Sequence, residues 1–206
     1  LEQQVEDAKT TDVRQGWLGA TRKAICYGCM TSGGKRFPEF TKSSEEPSFD
    51  FILFSFNGID YASHKDRLKI FQEIKRVGKQ GCYFFFSSHN LQALEKELTL
   101  QKQIVLNPVK TYVNLVMLGL FWLFNQPMTR ETLAASESLI VRDESHNFRL
   151  ETYYIRAAQQ IRQLSKGFSH VEIYPWQSTE RVLDLDASAM ERDLWLYYLC
   201  RVDYTA

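Results

Sequence analysis

No excess of either charge marks this sequence: Lys plus Arg number 25 and Asp plus Glu also number 25 among 206 residues. With no net charge there is no global field to draw the chain to nucleic acid or to an anionic membrane, so partners must come from local sites. Cysteine is scarce as well. The four thiols are Cys26, Cys29, Cys82 and Cys200, and the opening stretch LEQQVEDAKTTD is polar where a secretory signal would be apolar. Reduced thiols in a cytoplasm are therefore expected, and no disulfide framework. Cys26 and Cys29 form a CxxC, but a zinc ribbon needs a second pair at similar spacing and a redox pair usually opens a helix after a strand. Two unlinked thiols in or beside a strand are the expectation, with no metal site. Long hydrophobic runs are lacking too. The most apolar stretch, TYVNLVMLGLFWLF at 111–124, would span roughly 21 Å as a helix, short of a hydrocarbon core of about 30 Å. No membrane span is expected.

What is present reads as one α/β unit. LEQQVEDAK at 1–9 has good helix formers and no Gly or Pro, and Ala24–Tyr27 suits a short strand. TSGGKRFPEFTKSSEEPS, 31–48, is a long loop punctuated by Gly33, Gly34, Pro38 and Pro47. The pattern sharpens at Phe49. FDFILFSF is apolar almost throughout, as for a strand buried on both faces, and it ends in the turn signal Asn57-Gly58. Asp60 and Ser63 are candidate helix caps. His64 to Lys79 has helical periodicity, with Leu68, Phe71, Ile74 and Val77 on one face, and CYFFFSS follows as a second buried strand. Strand, helix and strand in about 40 residues make a parallel crossover unit.

Beyond His89-Asn90, helical segments at 91–135 read as an insertion in a single domain spanning 1–206. LETYYI at 150–155 is extended. A helix at 156–166 turns Ile161 and Leu164 inward and stops at Gly167. FSHVEIYPW alternates like a half-buried strand, and LWLYYLCRV reads as the last strand.

Residues 49–90 resemble the class I S-adenosylmethionine-dependent methyltransferase family. Phe49-Asp50 correspond to the opening of that family's fourth strand, Asn57-Gly58 to its polar turn, Glu73-Ile74-Lys75-Arg76-Val77 to the helix ending, and Gly81 through Phe86 to the fifth strand. Gly167-Phe168 fit the dipeptide before the sixth strand, and LWLYYLCRV the antiparallel seventh. The resemblance covers about 120 residues. It implies a Rossmann-like, mostly parallel sheet with an antiparallel final strand and a helical insertion between strands five and six. The chain departs from the family in one important respect: the glycine-rich cofactor loop after strand one and the ribose-binding acid after strand two have no counterpart. Cys29-Met30-Thr31 offers no carboxylate where an adenine contact would lie, so on this comparison the domain is N-terminally incomplete and its cofactor site about half present. A nicotinamide-dependent enzyme fits less well, because its glycine fingerprint is missing too.

In open α/β sheets ligands sit beyond the carboxyl ends of the strands. The resemblance therefore implies S-adenosylmethionine against Ser55, Phe56, Asn57 and Gly58, and a small-molecule substrate near Ser88 and Asn90. Ser55 and Asn57 could equally satisfy turn backbone groups. His89, at a strand terminus, could orient or deprotonate a substrate nucleophile as the catalytic residue, or simply hydrogen-bond within a turn. His146 and Tyr153 are further substrate-side candidates. The 111–124 stretch could serve as an apolar lid, as extra core or as a homo-oligomer contact. A non-catalytic, methyltransferase-like binding or assembly protein is the rival reading.

Overall fold

The computed structural model describes residues 24–27, 47–177, 180–182, 185 and 190–205. The helix expected at 1–9, Cys29, and the loop from 31 as far as 46 lie outside the described residues. The short strand expected at Ala24–Tyr27 is present as β1. It runs parallel to β2, Phe49–Phe54, and β2 runs parallel to β3, Gly78–Asn90. Helix α1, His64–Val77, makes the crossover.

Helix α1 begins where the Ser63 hydroxyl accepts the Asp66 amide (3.2 Å). That bond satisfies one of the donors a helix start leaves free. It ends at Val77, two residues before the periodicity suggested, because Gly78 already belongs to β3. Its sheet-facing stripe is Arg67, Ile70, Phe71, Ile74 and Val77. Phe71 packs edge-on against Phe84 and Phe168 and tilts against Phe86, while Phe84 and Phe86 stack at 4.7 Å. Each such ring contributes on the order of 2 kcal/mol through burial. Alternate residues of β3 (Cys82, Phe84, Phe86, Ser88) point into this core.

After β3 come four helices: α2 (Leu91–Glu97), α3 (Leu100–Gln103), α4 (Pro108–Phe124) and α5 (Arg130–Ala135). They are followed by β4 (Ser138–Arg142), β5 (Glu151–Ile155), α6 (Ala157–Leu164), β6 (Phe168–Pro175) and β7 (Trp195–Val202). As expected, the final strand is antiparallel: β7 lies between β3 and β6 and opposes both. The expectation of a mostly parallel sheet is corrected. Among the described residues three strand pairings are parallel and three antiparallel, so the sheet is mixed. β4 was not foreseen; only its Val141 is fully buried, and its short connection to β5 can only reverse the chain.

The placement of β5 creates the site. His89 and Asn90 pair with Trp195 and Leu194 on one edge of β3 and with Tyr154 and Ile155 of β5 on the other. β2 has already ended on that second edge, at Phe54 opposite Phe86. The 3-10 turn Gly58–Tyr61 lies at this step, between the end of β2 and β5.

Candidate functional site

β2 does not simply stop; it turns back through two left-handed residues. Phe56 has φ 55° and Asn57 φ 52°. Asn tolerates that region, but a phenylalanine there costs roughly 1–3 kcal/mol and needs surrounding structure to hold it. The holding bonds are visible. The Asn57 amide donates to Ser87 Oγ (3.0 Å), the Asn57 carbonyl accepts from the Asp60 amide (2.9 Å), and Gly58 donates to the Ser55 carbonyl (3.2 Å). The turn buries Asn57 and Gly58 and throws the Phe56 ring outward, 78% exposed.

It also delivers Asp60 into the interior, where the carboxylate collects four donors. Oδ2 accepts from the His89 backbone amide (2.7 Å) and from His89 Nδ1 (2.8 Å). Oδ1 accepts from Ser88 Oγ (2.8 Å) and from the Arg67 guanidinium. Arg67 donates also to Ser88 Oγ (3.0 Å) and to the Gln160 side-chain carbonyl, and its guanidinium lies 4.9 Å from the centre of the Tyr153 ring. Arg67 and Asp60 have fully buried side chains, so each charge depends on the other.

A carboxylate oxygen accepts, so the bond to Asp60 assigns a ring proton to His89 Nδ1, and in the neutral ring Nε2 is then the acceptor. Nε2 faces Asn57 Nδ2 at 3.5 Å. The imidazole is flanked by Tyr154 (4.8 Å between centroids) and, edge-on, by Trp195 (6.2 Å), which packs on the half-exposed Trp176. Tyr154 donates its hydroxyl to Asp143 (2.9 Å). Burial first, and then the Asp143 charge, holds that phenol well above its ordinary value, so it stays a donor. The arrangement is a buried, oriented imidazole at the carboxyl end of β3, with Nε2 turned to Asn57 Nδ2 in the turn that follows β2.

Of the residues singled out in the sequence, Ser55, Phe56, Asn57 and Gly58 form the turn, and Ser88 and His89 join it through Asp60. Asn90 is engaged elsewhere. Its Oδ1 accepts from Gln92 at the start of α2 (3.1 Å), and its amide donates to the carbonyls of Met190 and Asp193. Tyr153 points to the α1 side, with its hydroxyl 2.7 Å from His64 Nδ1 and 3.4 Å from Gln163 Nε2. Alternation along β5 places Tyr154, not Tyr153, beside His89. His146 lies in the 3-10 turn Glu144–His146, between β4 and β5. Asp60 and Arg67 were missed. The available signal was an arginine on the apolar stripe of α1, which demands a buried counter-charge. Among the described residues no group of His, Cys, Asp and Glu side chains is placed to hold a metal ion.

No family profile and no curated protein matches the chain. Solved structures do resemble it. A SAM-dependent methyltransferase from Methanosarcina mazei is 12% identical with a TM-score of 0.47, over 87% of this chain and 82% of that one. A possible exported protein from Bordetella parapertussis is 12% identical with a TM-score of 0.41, over 79% of this chain and 41% of that one. An S-adenosylmethionine-dependent methyltransferase from Mesorhizobium loti is 12% identical with a TM-score of 0.43, over 76% and 62%. The chain thus spans less than two thirds of the last two proteins. At these values the likenesses decide nothing about chemistry, which rests on the residues.

Proposed function

We propose that the protein is an S-adenosylmethionine-dependent methyltransferase acting on a small molecule, with His89 as the base that faces the substrate. The observation that carries this reading is the Asp60–His89 pair, seated at the carboxyl ends of β2 and β3 with Nε2 directed toward the Phe56–Asn57 turn. The resemblance of residues 49–90 to the family supports it.

The described residues fit one side of such a cofactor. Arg67 and Asp60 neutralise each other beneath the surface. The turn above them is built from uncharged groups (Ser55, Asn57, Gly58) and the outward Phe56 ring, a surface that repels no sulfonium and offers it an aromatic face. When bound, the cofactor supplies a methyl group already activated by its positive sulfur. The chain then has two tasks. Asn57 and Gly58 would hold the methionine side of the cofactor, and His89 Nε2 would orient the acceptor group or take its proton. Asp60 keeps the Nδ1 proton in place, and Ser88 and Arg67 keep Asp60 in place. Orientation of this kind supplies most of the effect in such a transfer.

Calorimetric titration of the chain with S-adenosylmethionine tests the reading. Saturable binding is expected. His89→Gln should leave that affinity within about threefold while lowering methyl transfer to an acceptor about 10²- to 10⁴-fold. No heat of binding to the unaltered chain would overturn it. The rival, a non-catalytic assembly protein, is favoured by the apolar outer face of α4. It predicts stable complexes by light scattering and no cofactor binding.

A further inference from the structure

A helix on the surface of a protein ordinarily keeps charged or polar residues on its outer face. α1 obeys this rule, with Lys65, Lys69 and Arg76 outside. α4 does not. Its inner stripe, Leu118 and Phe121 with Met117 and Trp122 partly buried beside them, packs into a second core with Leu94, Leu133, Phe148 and Tyr154. Its outer stripe is Val109, Tyr112, Val113, Val116 and Leu123, all exposed. The turn that leads from α3 into α4 continues the surface: Ile104, Val105 and Leu106 are consecutive exposed aliphatics, and Leu106 has no cover at all. Exposed apolar surface this continuous marks a docking site.

The charges indicate what docks. From Leu98 to Thr129 the sequence has no Asp or Glu and two lysines, Lys102 and Lys110, one on each side of the aliphatic turn. Lys102 also reaches back to Glu97 (3.2 Å). A two-fold contact with a second copy would set this apolar face against itself and offer Lys110 no carboxylate from residues 98–129. An anionic lipid surface satisfies both features, since its headgroups attract the lysines and its acyl boundary takes the aliphatic turn. α4 is about 25 Å long. No helix among the described residues is long and apolar enough to cross a membrane. We infer that the α3–α4 hairpin is a membrane-surface anchor that lies in the interface of an anionic bilayer. Tyr154 belongs to the same core as α4 and flanks His89, so the docked hairpin would hold the His89 end of β3 toward the lipid surface. The corollary that the methyl acceptor is itself apolar rests on the proposed methyl transfer; the anchor does not.

Flotation of the full chain with vesicles of phosphatidylcholine, with and without phosphatidylglycerol, tests the anchor, because no cofactor or activity is involved. The chain should float with the phosphatidylglycerol vesicles. The double variant Leu106→Asp/Val113→Asp alters only exposed positions, so it should keep its circular dichroism and lose binding at least about tenfold. Lys110→Gln should weaken binding about fivefold, the equivalent of about 1 kcal/mol for one lysine near the surface. Three results would overturn the inference: no flotation of the unaltered chain, undiminished flotation of the folded double variant, or a dimer in solution that the double variant abolishes while lipid is ignored.

Discussion

Asp60 organises the interior more than any other single residue, and its carboxylate faces four donors at once. Replacing it with asparagine leaves the Arg67 guanidinium buried without a counter-charge. Asp60→Asn should therefore lower unfolding free energy by about 3–5 kcal/mol in urea denaturation. A loss below about 1 kcal/mol would mean that water, not Asp60, solvates Arg67. This residue also shows where sequence reading runs out. Asp60 and Ser63 were both readable as caps, and only Ser63 caps α1. Asp60 turns inward because the two left-handed residues before it reverse the chain, and a left-handed phenylalanine is not something that composition or periodicity foretells. Likewise a strand puts neighbours on opposite faces, so choosing Tyr153 over Tyr154 required a register that the sequence does not carry.

At the level of elements, the joint between α1 and β3 is a single glycine. A Cβ on Gly78 would meet Val202 Cγ2 at 2.9 Å, the Ile74 carbonyl oxygen at 3.0 Å and Cys82 Sγ at 3.1 Å. Backbone and β7 cannot both give way. Gly78→Ala should cost about 1–3 kcal/mol, seen as a lowered calorimetric midpoint; an unchanged midpoint would show that the joint is looser than drawn. The elements most legible in the sequence were those with one strong pattern: β2 and β3 as continuous apolar runs, α1 with its threefold spacing, and β7 with its aromatic and branched residues; β1, β5, α6 and β6 were readable more faintly. β4 was hidden because Ser138–Arg142 buries little. The insertion was legible as helical. Its break at Leu98–Thr99 and the exposed outer face of α4 were not, since an apolar helix reads the same whether covered or bare.

For the molecule as a whole, the mixed sheet packs one face against α1 and α6 and buries several groups that resist losing a proton. Burial pushes the Cys82 thiol up to about 12, and pushes Cys200, Tyr154 and Tyr198 upward as well. Unfolded, the thiols ionise near 8.5 and the phenols near 10. Above about pH 8.5 the unfolded chain therefore binds fewer protons than the folded one, and stability falls as pH rises toward 12. Melting temperature should be flat from pH 7 to 8 and decline steadily from pH 9 to 11. A midpoint that held constant to pH 11 would place these side chains in water.

Everything proposed about chemistry depends on the turn at the ends of β2 and β3 being where the cofactor meets the chain. Backbone amide shifts of the ¹⁵N-labelled protein, followed during titration with S-adenosylhomocysteine, locate that meeting residue by residue. The largest changes are predicted at Phe56, Asn57 and Gly58 and at Ser87, Ser88 and His89, with α4 unaffected. Saturating changes confined to other elements, or none at any concentration, would contradict the assignment.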